Sequence, residues 1–114
     1  MLTAKVLHDE RVKLGQYSIQ ESIRFLSRVG QYYEQVIPSN IEFKFIFETE
    51  KLLNDLYMRS LKEPGAGTVT NQILEALSQA GALGLAVRSK TLGTEFVRTT
   101  KQLGRTLIRI SRTA

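Results

Sequence analysis

Residues 92–112, LGTEFVRTTKQLGRTLIRISR, carry two interleaved patterns that together predict an amphipathic helix. Basic residues recur at steps of three or four, at Arg98, Lys101, Arg105, Arg109 and Arg112. At 3.6 residues per turn these five positions fall within roughly 80° of one helix face. The opposite face is apolar and is formed by Leu92, Phe96, Leu103, Leu107 and Ile110. We therefore expect a helix whose apolar side packs on the protein and whose five cations, here called the basic ridge, face solvent.

The charge of the chain is concentrated at this end. Residues 88–114 hold seven basic residues and one acidic residue, a net charge of +6, whereas residues 1–87 hold nine basic and ten acidic residues, a net charge of −1. Arginine offers a planar fork of donors to phosphate oxygens, and lysine acts as a point charge. Since no aromatic residue interrupts the ridge, base stacking is not expected, and the pattern predicts sequence-independent binding to the backbone of RNA or DNA. Arg88 and Lys90 are included in this predicted site.

Two other interpretations of the basic ridge stay open. The ridge can meet an acidic protein or a membrane surface, or it can be a solvated face, because basic residues near a helix C-terminus oppose the helix dipole. Solvated faces usually mix charges of both signs, and only Glu95 interrupts this one. Threonine and serine residues flank the ridge and are expected to add hydroxyl contacts to a backbone, namely Thr99, Thr100, Thr106, Ser111 and Thr113.

A second and weaker basic patch is predicted at Arg24 and Arg28, one turn apart on an earlier helix. These two residues either extend the phosphate track or belong to a polar outer face with ion pairs to Glu21.

Length and composition predict one ordinary globular domain. The chain has 114 residues, of which 42% are hydrophobic and 24% charged, and it has no cysteine. We divide it into aromatic-rich helices (1–62), a Pro/Gly loop (63–69) and C-terminal helices (70–114). The longest apolar run, residues 80–87, is far shorter than the roughly 20 residues of a membrane span. A soluble cytoplasmic protein without a membrane partner is expected.

The spacing of apolar and capping residues predicts an all-α bundle of four or five helices. The first helix covers about Leu2–Leu14, and the second runs from a capping box at Ser18 to about Val36, before Pro38. Residues 41–48 are ambiguous. Their apolar residues alternate with other residues as in a strand, whereas the helix-forming residues that follow without a break favour a helix. We favour one long helix, Asn40–Lys62, with a second capping box from Ser39 to Glu42.

The fourth helix is expected at about Asn71–Ser89, with Thr68 or Thr70 as its cap. Gly81 and Gly84 interrupt it, and each costs about 1 kcal/mol relative to alanine. We therefore expect them to permit a close crossing by another backbone. Because Leu85 is in phase with Leu92, two alternatives stay open: the fourth and fifth helices are continuous, with Gly93 as a weak point, or they are separate.

No group of residues predicts catalysis. His8 lacks a second ligand or a nucleophile at a suitable spacing, so we expect a solvated residue, with no metal and no cofactor. Glu42, Glu48, Glu50 and Asp55 form a loose acidic stretch without the spacing of a catalytic pair. An enzyme is not expected.

Six aromatic residues lie close together in the sequence, namely Tyr32, Tyr33, Phe43, Phe45, Phe47 and Tyr57. On a helix, Phe43 and Phe47 cannot easily share a face with Phe45. One set should be buried, and the other is available to a partner or to a second copy of the chain.

The small size, the all-helical pattern, the missing cysteines and catalytic residues, and the one-sided cationic helix resemble the small subunit of a CRISPR effector (Cascade-type) complex. The resemblance implies a non-catalytic bundle in an antiviral ribonucleoprotein, present in several copies, with Arg98, Lys101, Arg105 and Arg109 on the nucleic-acid backbone. The predicted function is accordingly a nucleic-acid-binding subunit of a larger assembly. The alternative is a structural subunit of a filament or shell, which self-associates through its ridge and an acidic face around residues 42–55.

Overall fold

The computed structural model describes residues 2–89 and 92–113, with residue 113 described by its backbone alone. Within these residues the chain forms five α-helices, one turn of 3₁₀ helix and no strand, so the predicted all-α fold is confirmed. The helices are α1 (Ala4–Leu14), α2 (Ile19–Gln35), α3 (Phe43–Ser60), α4 (Gly67–Arg88) and α5 (Thr94–Thr113), and the 3₁₀ turn spans Pro38–Asn40. Helix α5 packs against α2 and α4, α3 packs against α4, and α1 lies on α3.

The start of α2 follows its sequence signal. The side chain of Ser18 accepts a hydrogen bond from the backbone N–H of Glu21 at 3.3 Å, as the predicted capping box requires. This contact satisfies one of the N–H groups that lack a partner at a helix start.

Within the ambiguous stretch 41–48, residues 43–48 are helical, and the helix begins later than predicted. Pro38 starts a separate 3₁₀ turn that includes Ser39, and Ile41 is extended at φ −75° and ψ 121°. Helix α3 therefore begins at Phe43, after an N-cap Glu42 that makes no side-chain capping bond. The predicted capping box at Ser39 is wrong. Pro38 occupies the first position of the 3₁₀ turn, so Ser39 lies inside that turn and cannot be the N-cap of α3.

Helix α4 begins earlier than predicted, at Gly67, with Ala66 as its N-cap. Neither Thr68 nor Thr70 caps it. The Thr70 hydroxyl instead lies 2.8 Å from the Ala66 carbonyl oxygen and 3.0 Å from the Ser60 hydroxyl, inside the first turn. The chain reverses before this point at Gly65, whose φ of 81° lies in the left-handed region that favours glycine.

Of the two alternatives left open for α4 and α5, the structure has separate helices. Helix α4 ends at Arg88 and α5 begins at Thr94, with Leu92 and Gly93 outside both helices. Leu85 and Leu92 share the phase of the apolar seam, yet their side chains are 69% and 53% exposed. The break redirects the chain, so the apolar pattern of α5 no longer continues that of α4.

The close backbone crossing is not at Gly81 and Gly84, as predicted, but at Gly30 of α2 and Gly104 of α5. A Cβ atom added at Gly30 would lie 2.6 Å from the Gly104 carbonyl oxygen, and one added at Gly104 would lie 2.8 Å from the Gly30 carbonyl oxygen. At Gly81 the nearest atom to such a Cβ is 3.5 Å away, and at Gly84 nothing lies within 4 Å. The first pair of glycines is thus required by packing, and the second is not.

The inner side of α5 is packed as the sequence predicts, with Phe96, Leu103, Leu107 and Ile110 all buried. Thr100 and Thr106 are also buried, which contradicts their predicted place beside the ridge. Their hydroxyls donate to the carbonyl oxygens of Phe96 at 2.7 Å and Gln102 at 2.9 Å. Because each hydroxyl is satisfied by its own helix, both threonines can lie inside.

Candidate nucleic-acid interface

The fold presents the basic ridge as one exposed face of α5. Burial of the apolar seam and the crossing at Gly104 fix the rotation of α5 about its own axis. All five predicted side chains are exposed, namely Arg98, Lys101, Arg105, Arg109 and Arg112. On the helix they extend from roughly 60° to 140° around the axis from Gly104, over about 21 Å of length. The sequence pattern and the structure therefore agree on a continuous cationic surface.

Two of the five cations are paired with carboxylates. Arg98 donates to Glu95 at 2.6 Å within α5, and Arg109 donates to Glu75 of α4 at 2.8 Å. The hydrogen bond from Arg98 lowers the pKa of the Glu95 carboxyl below its ordinary value. Both pairs lie at the surface, where water and salt screen the attraction and a phosphate can compete for the guanidinium.

The other three ridge cations are Lys101, Arg105 and Arg112. In the part of the chain that the structure describes, none of the three has an ion pair or a side-chain hydrogen bond. Lys101 and Arg105 are neighbours along the ridge, and the paired Arg109 separates them from Arg112. These three positions of the ridge thus carry positive charge that no ion pair within residues 2–89 and 92–113 compensates.

One carboxylate borders the ridge without pairing with it. Glu34 of α2 lines a shallow depression of about 250 Å³ together with Arg105, Ile108, Arg109 and Arg112. Its Cγ atom lies 2.9 Å from the position of a Cβ added at Gly104. Glu34 therefore limits the ridge on the side of α2.

The remaining predicted binding residues are not part of the ridge. Arg24 and Arg28 are exposed on α2, roughly 120° and 160° around that helix from its contact with α5 at Gly30. They form a separate basic pair on the neighbouring helix. Arg88 is exposed at the end of α4, where its guanidinium lies 5.2 Å from the centre of the Phe43 ring. Lys90 lies outside the described residues.

The acidic stretch does not form one face. Glu48 accepts from Arg11 and lies 3.3 Å from the His8 ring nitrogen, and Asp55 accepts from Arg11 at 3.1 Å. These contacts hold α1 on α3. Glu50 lies roughly 160° around α3 from Glu48, and Glu42 precedes the helix, so only Glu48 and Asp55 converge. His8, expected to be solvated, is about half exposed and belongs to this cluster.

The predicted separation of the aromatic residues is confirmed. Phe45 and Tyr33 are buried, with ring centres 5.3 Å apart, whereas Phe47 is 40% exposed. Phe47 stacks beside Phe43 at 6.2 Å, and the Lys51 ammonium lies 4.5 Å from its ring centre. These two rings border a groove between α3 and α4.

Sequence reasoning missed three features that shape the interface. Gly30 and Gly104 set the α2–α5 crossing, and the only available signal was a glycine inside each predicted helix. Glu75 reaches the ridge from a position 34 residues away in the chain, which no local pattern reveals.

Residues 2–89 and 92–113 contain neither a metal-binding cluster nor a membrane-spanning helix. No three histidine, aspartate or glutamate side chains converge in a way that could hold a metal ion. None of the helices there is both long enough and apolar enough to span a membrane.

Comparisons with protein-family models, with curated proteins and with solved structures found no match to this chain.

Proposed function

We propose that this protein is a non-catalytic subunit of a larger ribonucleoprotein assembly, and that it binds the nucleic-acid backbone through the basic ridge. The observation that carries the proposal is the exposed row of Lys101, Arg105 and Arg112. These cations face solvent and have no carboxylate partner among the described residues. A row of uncompensated cations on a rigid helix is suited to a polyanion whose charges are also in a row.

The geometry of α5 supports contact with the backbone rather than with base edges. Successive ridge residues are three or four positions apart, which corresponds to about 4.5 to 6 Å along the helix. Helices that read bases insert into the major groove. The inner half of α5 is buried against α2 and α4, so only its outer face is available. Because contacts from arginine and lysine to phosphates carry no information about the bases, we expect binding without sequence preference.

The ion pairs of Arg98 and Arg109 do not oppose the proposal. Exposed pairs of this kind contribute little to stability, because water and salt screen the attraction. A phosphate that approaches the ridge can replace Glu95 or Glu75 as the acceptor. Arg24 and Arg28 on α2 offer a second, smaller contact for a strand that bends around the bundle.

A CRISPR effector complex is the assembly that we favour within this proposal. The small size, the helical bundle and the one-sided basic helix are the features that carry the resemblance. In such a complex the ridge would contact the backbone of the guide–target duplex or of the displaced strand.

The filament alternative has less support. It requires an acidic face around residues 42–55 that is free to meet the ridge of a neighbouring copy. Glu48 and Asp55 already pair with Arg11, and Glu50 lies on a different side of α3 from them.

The test is a charge reversal of the unpaired cations. Lys101→Glu combined with Arg105→Glu should weaken binding to RNA or DNA oligonucleotides at least about 30-fold, since two favourable phosphate contacts become repulsive. Binding is measured by fluorescence anisotropy at fixed salt. Folding should be unchanged in far-UV circular dichroism, because both side chains are exposed.

The matched control is Lys44→Glu combined with Lys62→Glu. These lysines are also exposed, and the variant has the same net charge as the test variant. It should bind nearly as well as the unmodified chain. Equal binding by the test variant and the unmodified chain would disprove the assignment of the ridge. Equal losses of binding in the test and control variants would show that affinity depends on net charge and not on the ridge.

A further inference from the structure

The depression at the border of the ridge holds a carboxylate that phosphate binding does not explain. Glu34 of α2 lines this depression together with Arg105, Ile108, Arg109 and Arg112. Glu34 is exposed, and within residues 2–89 and 92–113 it makes no ion pair and no side-chain hydrogen bond. The three arginines attract a phosphate, whereas this carboxylate repels one. A nucleic-acid backbone that fits the depression therefore presents a group other than phosphate to Glu34.

The α2–α5 crossing holds Glu34 against α5. Its Cγ atom lies 2.9 Å from the position of a Cβ added at Gly104, so the stem of Glu34 occupies the space that this glycine leaves free. Ile108 does the same in the opposite direction, with its Cγ1 atom 2.8 Å from a Cβ added at Gly30. Packing of the two backbones thus places the Glu34 carboxyl group at the edge of the cations.

The chemistry of a carboxylate restricts what it can bind. When ionised it only accepts hydrogen bonds. In the sugar–phosphate backbone the donor is the 2′-hydroxyl, which RNA has and DNA lacks. Base edges also carry donors, but none of the five described residues that line the depression is aromatic and able to stack on a base.

The surroundings of Glu34 suit a sugar that lies between two bound phosphates. Arg105, Arg109 and Arg112 line the same depression and offer guanidinium groups to neighbouring phosphates. Ile108 is partly buried and gives the depression an apolar wall against which the sugar ring can pack. A ribose in this position can donate its 2′-hydroxyl to Glu34.

We infer that Glu34 makes the ridge prefer RNA to DNA by accepting a hydrogen bond from a ribose 2′-hydroxyl. This inference rests on the proposed function, because it concerns a ligand whose phosphates lie on the ridge. The contact reads the sugar and not the base, so it is compatible with binding without sequence preference. One hydrogen bond to a charged acceptor corresponds to a preference of about tenfold.

Oligouridine and oligodeoxyuridine of equal length test the inference, because they differ only in the 2′-hydroxyl. In fluorescence anisotropy at fixed salt the unmodified chain should bind the ribose form about tenfold more tightly. 2′-Fluoro-oligouridine should bind as weakly as the deoxy form, since fluorine cannot donate a hydrogen bond. The inference is overturned, and the proposed function is not, if the chain binds all three equally or binds the fluoro form as tightly as the ribose form. Absence of binding to all three would disprove the proposed function and the inference together.

Glu34→Ala should remove the preference. The ratio of the affinities for the ribose and deoxy forms should fall from about ten to about one, while the affinity for the deoxy form should not fall. A change in net charge alone alters both affinities by the same factor, so the ratio isolates the hydrogen bond. Far-UV circular dichroism should be unchanged, because Glu34 is exposed.

Glu75→Ala is the matched control. Glu75 borders the ridge from α4 and pairs with Arg109 at 2.8 Å, but it does not line the depression. Its removal should raise the affinity for both forms by a similar factor and keep their ratio at about ten. A Glu34→Ala variant that keeps the preference would overturn the inference, and so would a Glu75→Ala variant that loses it.

Discussion

Two pairs of helical glycines in this protein have opposite surroundings. Gly30 and Gly104 face each other where α2 crosses α5, and a Cβ on either would come within 2.8 Å of the other's carbonyl oxygen or closer. Gly81 and Gly84 lie on the outer side of α4, where a Cβ would make no contact shorter than 3.5 Å. The first pair builds the fold, and the second leaves room on its surface. A glycine inside a helix therefore does not by itself indicate a close approach by another backbone.

The same two helix pairs position the basic ridge and the groove. The α2–α5 crossing brings two backbones together and fixes α5 with its cations outward. The α3–α4 groove leaves its apolar residues exposed to solvent. One helix pair thus supports the basic ridge, and the other presents a groove lined by apolar side chains together with Glu50 and Arg88.

The largest effect is expected from a methyl group at the crossing. Gly30→Ala should lower the free energy of unfolding by about 3 kcal/mol, because the new Cβ would meet backbone atoms that cannot rotate away. Denaturant unfolding followed by circular dichroism measures the loss. A variant as stable as the unmodified chain would show that the two backbones can separate without cost.

A substitution three residues further along α2 separates this backbone clash from a general sensitivity of α2. Tyr33 faces α3, where its hydroxyl lies 2.7 Å from the Thr49 hydroxyl. Tyr33→Phe removes that hydrogen bond and nothing else, so it should cost only about 1 kcal/mol. A loss as large as that of Gly30→Ala would mean that any change on α2 is equally damaging.

Tyr33→Phe should also change how the free energy of unfolding depends on pH. Burial raises the pKa of the Tyr33 hydroxyl well above its ordinary value of 10.0, so the residue stays neutral in the folded protein. The unfolded chain ionises near the ordinary value, and stability is therefore present below about pH 10 and lost as the pH rises further. Tyr33→Phe should reduce this alkaline loss, as measured by unfolding at several pH values. An unchanged alkaline profile would contradict the burial of an ionisable group at this position.

The opposite sign is expected on α4. Gly84→Ala should raise the free energy of unfolding by about 0.5 to 1 kcal/mol, since alanine favours the helix and its methyl group meets no neighbour. Denaturant unfolding measures the gain, as for Gly30→Ala. A destabilised variant would indicate that the outer side of α4 is closely packed within the chain.

The smallest effect is expected where α4 reaches the ridge. Glu75→Gln should change stability by no more than about 0.5 kcal/mol, because its pair with Arg109 is exposed. It should strengthen nucleic-acid binding about two- to threefold, since a carboxylate that competes with phosphate is removed. Glu63→Gln, an exposed loop residue with the same charge change, serves as the control. Weaker binding by Glu75→Gln would imply that the ion pair orients Arg109 for its ligand.

Local signals in the sequence predicted the parts of the fold that depend on local physics. The Ser18 cap forms because a serine hydroxyl can reach a backbone N–H three residues away, and the apolar seam of α5 is buried because its period matches the helix. The same signal failed at Ser39, because Pro38 begins a 3₁₀ turn one residue earlier. Phase alone also failed for Leu92, since a break before α5 turns that residue away from the core.

Features that depend on distant residues were not accessible in this way. The sequence shows the ridge cations but not that Glu75 and Glu34 approach them from α4 and α2. It shows four helical glycines but not which two face another backbone. The polarity of the ridge is a local property and was predicted, whereas its degree of neutralisation is set by the packing of three helices.

The salt dependence of binding tests the central claim most directly. The unmodified chain is titrated against single-stranded and duplex RNA and DNA at several salt concentrations. With three to five ridge cations on phosphates, the slope of log K against log salt should lie between about −2.7 and −4.5 on duplex DNA, and should be shallower on single strands. The Lys101→Glu and Arg105→Glu double variant should lose about two units of that slope. A slope near zero, or an equal slope in the double variant, would contradict the account.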